Sequence, residues 1–270
     1  MVKRKAAPAT PARELDRFTG DPDFMLSLGR GLLVLRAFEI EPRLTASRVA
    51  KLTGLPRPTA RRCLYTLEQL GYLAAEDGAW IPQPRLLALA QSYLTSTGFL
   101  EAVRRHLELL RDEVHESCSL GVLDGGDVVY VARAETKRII SIGLHVGSRL
   151  PAYCTSMGRV LLADLGDDEQ LSHLRAGPFP ARTRFTRTTA TALRRELKHV
   201  AAAGYALVDQ ELEIGLRSIA VPVLGSSGRA VAALNVGVPN SYECSALVTD
   251  ILPHLRTSAE KLREIATLPL

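Results

Sequence analysis

Between Pro42 and Leu67 the chain carries six basic side chains and no acidic one: Arg43, Arg48, Lys51, Arg57, Arg61 and Arg62. The surrounding text, LTASRVAKLTGLPRPTARRCLYTLEQLGYL, is punctuated like two short helices joined by a tight turn. Thr45 is a candidate N-cap for a helix over Ala46 to Thr53, and Gly54 stands where a left-handed C-cap belongs. Pro56 and Pro58 fit the turn and the first turn of the next helix. That helix runs to about Leu70 and stops at Gly71, with Ala60, Leu64, Leu67 and Leu70 facing inward. A preceding helix over Met25 to Ile40, apolar at Leu28, Leu32, Leu35 and Phe38, closes a small core and ends before Pro42. A compact helical unit with one uniformly positive face is built to dock on a polyanion. Neutralising DNA phosphates releases condensed counterions, and a helix held rigidly by a partner reads base edges in the major groove.

The next segment, YLAAEDGAWIPQP, places Asp77-Gly78 between two short apolar runs, a strong hairpin signal. A hairpin directly behind a recognition helix is the wing of a winged helix. Arg57, Thr59, Arg61 and Arg62 open that helix opposite its apolar stripe, and Tyr65 follows one turn later. Arginine suits bidentate contact with guanine, so Arg57 and Arg61 are expected at bases. Thr59 suits a base or a phosphate, and Arg62, Arg48 and Lys51 suit phosphates. The competing reading is a solvated basic face on a protein-binding winged helix.

Charge supports the division of the chain. Residues 1–95 hold 14 Lys+Arg against 9 Asp+Glu, while residues 96–270 hold 20 of each. The whole excess belongs to the first third, as in a nucleic-acid module fused to a neutral domain with another task. We expect a disordered arm over 1–22, a winged helix-turn-helix over 23–83, a linker helix over 84–98 and a second domain over 99–270. That second domain opens with an amphipathic helix from Phe99 to Glu116. Strands follow in CSLGVLD and DVVYVAR around Gly125-Gly126, then in RIISIGLHV, GYALVDQ, RSIAVPVLG and RAVAALNVGV, with helices between and a last helix from about Ser241 to Ile265. The fold class is α+β, with a mainly antiparallel sheet and helices packed on it. No apolar run approaches the ~20 residues of a membrane helix, and MVKRKAAPATPARELDRFTG lacks the apolar core of a secretory signal, so a cytoplasmic protein with no membrane partner is expected. Cys63, Cys118, Cys154 and Cys244 are far apart and lack zinc-ligand spacing, which points to reduced thiols, with no metal and no cofactor.

SLGRGLLVL, TGLPRPTARRCLYTLEQLGYL, GSRLPAYCTSMGRVLLA and GLRSIAVPVLGSSGRAVAALNV resemble the IclR family of bacterial transcription regulators, over almost all of residues 25–268. EVHESCSLGVLDGGDVVYVAR, LHVGSRLPAYCTSMGRVLLADL and GYALVDQELEIGLRS are most similar to the subgroup controlling aromatic-acid catabolism, the PcaR, PcaU and PobR regulators of the β-ketoadipate pathway. The resemblance implies a winged helix-turn-helix on double-stranded operator DNA and a linker helix. It also implies a GAF-like effector domain, assembly as homodimers or as tetramers made of paired dimers, and control by a small organic acid. Protocatechuate, 4-hydroxybenzoate or a β-ketoadipate pathway intermediate would fit that role.

Carried over by motif, Tyr153, Cys154, Thr155, Ser156, Met157 and Gly158 would form one wall of the effector pocket, with helix-start N–H groups suited to an anion. Ser218, Asn235 and Gly237 would face them from the last strands, and Asp209 and Glu211 would stand at the rim to accept from ligand hydroxyls. Arg133, ending DVVYVAR, is either the counter-charge to the ligand carboxylate or a surface strand-end arginine. Family members that bind glyoxylate-like acids use paired serines or a cysteine on these strands. Asn235 and Gly237 depart from that pattern, and Gly237 leaves room for a larger, aromatic ligand. A regulator of glyoxylate, acetate or sugar-acid metabolism is the runner-up. A small-acid-processing enzyme with a DNA-binding-like adaptor needs a positioned nucleophile and base. Cys154 has no His or acid at a motif-like position to activate it, so a non-enzyme is expected. A DNA-binding structural protein without ligand would need a closed, fully packed second domain.

Overall fold

Thr45 caps the second helix as its position demands: its Oγ1 accepts the Arg48 N–H at 3.2 Å. Gly54 closes that helix at φ 78°, returning its N–H to the Ala50 carbonyl at 2.9 Å. These features come from a computed structural model that describes residues 11–89, 99–136 and 143–265. The chain divides into two units, residues 1–94 and 95–270.

The first unit contains α1 (Leu26–Arg36, continued by a 3-10 turn Ala37–Glu39), α2 (Ala46–Thr53) and α3 (Arg57–Gln69). A hairpin of β1 (Leu73–Glu76) and β2 (Ala79–Pro82) completes it. Val34, Leu44, Val49, Leu55, Ala60, Leu64 and Leu73 form its buried core. Asp77 (φ 45°) and Gly78 (φ 75°) make the hairpin turn, a left-handed pair that the Asp-Gly sequence favours. The wing is fastened twice. Leu44 and Trp80 exchange backbone hydrogen bonds at 3.1 and 2.8 Å, and the Trp80 indole N–H donates to Glu68 on α3 at 2.9 Å.

The arm expected over 1–22 is ordered for at least part of its length. Pro11–Phe18 form a 3-10 helix, Ala12 packs on the first core and Phe18 stacks on Phe24 at 4.1 Å. Partial apolar contact therefore orders a segment whose polar, Pro-containing composition reads as tail. The expected linker helix, 84–98, is helical at 85–89, and its remainder, 90–98, lies outside the described residues.

The second unit runs α4 (Phe99–Val114), β3 (Ser117–Asp124), β4 (Asp127–Ala134), β5 (Arg149–Pro151), α5 (Ser156–Asp164), α6 (Asp167–Arg175) and α7 (Ala190–Ala203). It continues through β6 (Ala206–Asp209), β7 (Leu216–Leu224) and β8 (Ala230–Pro239) to α8 (Leu252–Ile265), which extends a helical stretch begun at Cys244. The six strands form one antiparallel sheet in the order β5-β4-β3-β8-β7-β6. The expected strand RIISIGLHV is not a strand over 143–146, and 137–142 lie outside the described residues; β5 begins only at Arg149. Alternation along the strands assigns the two faces. Ile219, Val221, Val223, Leu234, Val236 and Val238 bury one face against α4 and α8 through Val103, Leu107, Leu110, Leu255 and Leu262. Val128, Tyr130, Ala220 and Ala233 turn to the other face, where Met157, Val160, Leu161, Leu193 and Leu197 of α5 and α7 cover them. Among the described residues, no helix is long and apolar enough to cross a membrane.

The single tryptophan, Trp80, reports on the first unit alone. Replacing the cap in Thr45→Ala should lower that unit's stability by about 1 kcal/mol, read as a lower urea midpoint of tryptophan fluorescence.

Candidate functional site

On the first unit, Arg57, Arg61 and Tyr65 recur every fourth residue along one exposed stripe of α3. Arg62 is exposed on the neighbouring stripe with the half-buried Thr59, where both border a groove shared with Ser27, Arg30 and Gly31 of α1. Lys51 is exposed on α2. Arg48 is engaged: its guanidinium makes a bidentate pair with Glu41, Nε reaching the two carboxylate oxygens at 2.9 and 3.1 Å. That pairing holds the Glu41 carboxyl below its ordinary range. Glu41 lies one residue outside the uniformly basic stretch, and it neutralises one of the expected phosphate ligands. Arg43 likewise faces acids, Glu76 at 3.6 Å and Asp77 at 3.0 Å on the wing. Free positive charge therefore concentrates on α3, with Lys51 and Arg30 beside it. Arg30 escaped the sequence reading because it belongs to α1, outside the motif.

The second unit holds a pocket on the α5 side of the sheet, enclosing about 80 Å³, several times the ~10–15 Å³ that one water needs. Strand register lays out its floor. Arg133 of β4 pairs with Ser119 of β3, which pairs with Asn235 of β8. In a parallel row two residues along, Ser117 and Ser218 flank Gly237. Cys154, Thr155, Ser156 and Met157 roof the floor, and Leu144, Val208, Leu212 and Leu216 supply apolar walls.

Strict alternation would put Tyr130 and Arg133 on opposite faces. A bulge prevents this: Leu120 pairs with Ala132 but Gly121 with Tyr130, so Val131 has no partner and both Tyr130 and Arg133 reach the pocket. Bulges commonly re-aim side chains in this way beside functional sites. Arg133 is held by Ser119, its Nη1 donating to Oγ at 2.9 Å, and by Glu135 at 2.7 Å. Burial pushes the Tyr130 phenol up to about 12 and the Cys154 thiol up to about 11. Cys154 thus stays a protonated thiol near neutral pH, the opposite of an activated nucleophile. Ser156 Oγ and the Asn235 amide oxygen are buried without a hydrogen-bond partner among the described residues, a condition that costs about 1–3 kcal/mol each unless a ligand or a water relieves it.

Of the residues expected at this site, Arg133, Cys154, Thr155, Ser156, Met157, Ser218, Asn235 and Gly237 line the pocket, and four others do not. Tyr153 turns away, its hydroxyl donating to the Pro180 carbonyl at 2.5 Å and its ring packing on Phe179. Gly158 is a packing glycine: a Cβ there would stand 2.2 Å from the Ala152 carbonyl oxygen. Its N–H is taken by Thr155 Oγ1 at 3.3 Å, so it offers nothing to an anion. Asp209 is bound by Arg217 at 2.7 Å, which keeps its carboxyl low.

Glu211 is not at a rim; it is 2% exposed. Arg159, fully buried on α5, donates to both its oxygens at 2.7 and 2.6 Å, and the Arg187 backbone N–H adds a bond at 3.0 Å. Arg187 also pairs with Glu211 by its side chain, and Glu196 of α7 joins both arginines at 3.6 and 3.2 Å. Neither carboxylate is free to receive a ligand hydroxyl. Sequence reasoning missed Ser117, Ser119, Tyr130, Leu144, Val208, Leu212 and Leu216. The serines had a readable signal, since Ser117 and Ser119 alternate with buried Cys118 and Leu120 at strand period.

Comparison with known proteins agrees with this architecture. Residues 27–77 match the model described as the IclR helix-turn-helix domain, and residues 91–264 the model described as bacterial transcriptional regulator IclR C-terminal. The chain is 45% identical over 230 residues to the Pca regulon regulatory protein of Pseudomonas putida, covering 84% of this chain and 79% of that protein. It is 36% identical over 250 residues to the p-hydroxybenzoate hydroxylase transcriptional activator of Acinetobacter baylyi, covering 90% and 92%. A crystal structure of an IclR homolog complexed with 4-hydroxybenzoate, from Microbacterium hydrocarbonoxydans, superposes with a TM-score of 0.74 at 29% identity, covering 89% of this chain and 98% of that one.

The ionic cluster makes its own prediction. Glu211→Gln leaves Arg159 buried beside a neutral amide and should destabilise the second unit by about 3–5 kcal/mol. The double variant Arg159→Met/Glu211→Leu should recover most of that loss in denaturant unfolding followed by far-UV circular dichroism.

Proposed function

Because this chain belongs to the IclR family of bacterial transcription regulators, we propose that residues 23–83 are its operator-binding winged helix, 84–98 its linker and 99–270 its effector module. The effector is an aromatic acid whose carboxylate docks on Arg133. One observation carries the reading: the Arg133 guanidinium, its side chain only 12% exposed, stands in the polar floor of a pocket whose walls, at Leu144, Val208, Leu212 and Leu216, are apolar. A half-buried arginine braced by Ser119 through Nη1 and by Glu135 through Nε keeps one nitrogen for a ligand carboxylate. Its Nη2 makes no hydrogen bond with any described residue. Leu144, Val208, Leu212 and Leu216 offer a ring apolar surface, and Gly237 leaves it space, since a Cβ there would meet only Leu216 Cδ1, at 3.9 Å. The relative described as a p-hydroxybenzoate hydroxylase activator and the homolog solved with 4-hydroxybenzoate support an aromatic acid.

On DNA, Arg57 and Arg61 read bases while Arg62, Lys51 and Thr59 hold phosphates, with Tyr65 alongside. Arg48 joins only if operator phosphates displace Glu41. A homodimer, or a pair of dimers, matches the two half-sites of a pseudo-palindromic operator. The regulator acts without catalysis, in the cytoplasm where the chromosome is. An effector that binds one conformational state better shifts the population toward it. The coupling to DNA is reciprocal and typically worth about 1–3 kcal/mol.

Arg133→Gln should weaken 4-hydroxybenzoate or protocatechuate binding at least tenfold by calorimetry while leaving DNA affinity of the ligand-free protein unchanged. Wild-type protein that binds no aromatic acid would overturn the effector assignment. Arg62→Ala should weaken binding to specific and nonspecific duplexes alike and lower the salt slope by about 1, measured by fluorescence anisotropy; an unchanged slope removes Arg62 from the phosphate contacts.

A further inference from the structure

With Asp209 and Glu211 committed to arginines, a second polar feature of the ligand needs another receptor. Among the described residues, two buried side-chain atoms lack a hydrogen-bond partner, Ser156 Oγ and the Asn235 amide oxygen. Both border the same pocket, Ser156 from the roof and Asn235 from the floor. Elsewhere the second unit satisfies its buried polar groups carefully: Thr155 caps α5, Thr183 and Thr186 donate to the carbonyls of Gln210 and Glu211 at 2.6 Å, and Glu211 takes Arg159. Two unpaired groups facing one cavity therefore belong to the cavity's function.

Register fixes where Asn235 sits relative to the acid receptor. Arg133, Ser119 and Asn235 are successive partners across β4, β3 and β8, so Arg133 and Asn235 are two strand spacings apart, about 10 Å at the backbone. Arg133 leans toward Ser119, which shortens the gap to something an aromatic ring with substituents at separated positions can span. The unpaired amide oxygen of Asn235 needs a donor, and the unpaired Ser156 hydroxyl can supply a donor to its partner. A ligand hydroxyl answers both, donating to Asn235 and accepting from Ser156.

We propose that Asn235, assisted by Ser156, is a specificity-determining residue that selects ring acids carrying a hydroxyl remote from the carboxylate and rejects ring acids that lack that hydroxyl. This rests on the assignment of Arg133 as the carboxylate receptor for an aromatic acid. A site built around a ligand hydroxyl discriminates strongly, because the analogue without it leaves buried polar groups unpaired. A methyl ether accepts but does not donate and leaves the Asn235 oxygen orphaned. An ortho hydroxyl bonds its own carboxylate and sits beside Arg133, out of reach of Asn235.

The test is calorimetric titration of the full-length protein with 4-hydroxybenzoate, 4-methoxybenzoate, benzoate and salicylate. Wild type should bind 4-hydroxybenzoate at least tenfold tighter than each of the other three. Asn235→Leu, of similar volume, should bring 4-hydroxybenzoate and benzoate to within about threefold, while Ser156→Ala should narrow the preference partially. Equal wild-type affinity for 4-hydroxybenzoate and benzoate overturns the role of Asn235, and so does a preference that survives Asn235→Leu; in either case the aromatic-acid pocket stands. Failure of all four acids to bind wild type overturns the underlying effector assignment, and this inference with it.

Discussion

A fully buried arginine fixes the site-bearing part of the second unit. Arg159 on α5 has no contact with water, and a desolvated guanidinium is tolerable only where fixed acceptors surround it. Glu211 supplies two of them, the Tyr153 carbonyl a third at 3.1 Å, and Glu196 adds charge. The consequence is positional. α5 delivers Ser156 and Met157 to the pocket, and the loop after Glu211 delivers Leu212; the ion pair ties the two together across 52 positions of sequence. Buried ion pairs add little net stability over an apolar replacement. What this one contributes is a single arrangement of roof and wall.

The floor is governed by a different constraint. A strand sends alternate residues to opposite faces, so the sheet simultaneously builds an apolar layer under α4 and α8 and a polar lattice under α5. Ser117 and Ser119, Asn235 and Gly237, and Ser218 fall on the same face because their strands are in register. The bulge opposite Leu120 and Gly121 adds Arg133 to that face without removing Tyr130. One unpaired backbone position, at Val131, thus sets the charge of the cavity.

Much of the first unit was readable in advance. Caps at Thr45 and Gly54, the Asp-Gly turn and the inward stripe Ala60, Leu64, Leu67 are local signals, each acting within a few residues, and the helices and wing fall where those signals place them; Leu70, Leu28 and Leu32, expected to face inward, are instead exposed, and α1 buries Leu33 and Val34. Pairings between side chains of different elements were not readable, even at short separation. Arg48 seemed a free phosphate ligand, yet Glu41, across one turn of chain, takes it. The arm at Pro11–Phe18 reads as tail by composition, yet Phe18 finds Phe24. In the second unit eight of the twelve expected pocket residues line the cavity, because short motifs travel as rigid pieces. The four that do not are consumed by partners far away in sequence or by close packing.

The sequence by itself determined most of the element types, the basic recognition helix and the two-part layout, since propensity, capping and charge density are properties of neighbouring residues. Only the tertiary structure decided which polar groups remain available to a ligand. That choice depends on which acids and bases from distant segments meet when water is excluded. Asp209 and Glu211 meet arginines and are spent, whereas the Asn235 amide oxygen and Ser156 Oγ find no hydrogen-bond partner among the described residues and stay open.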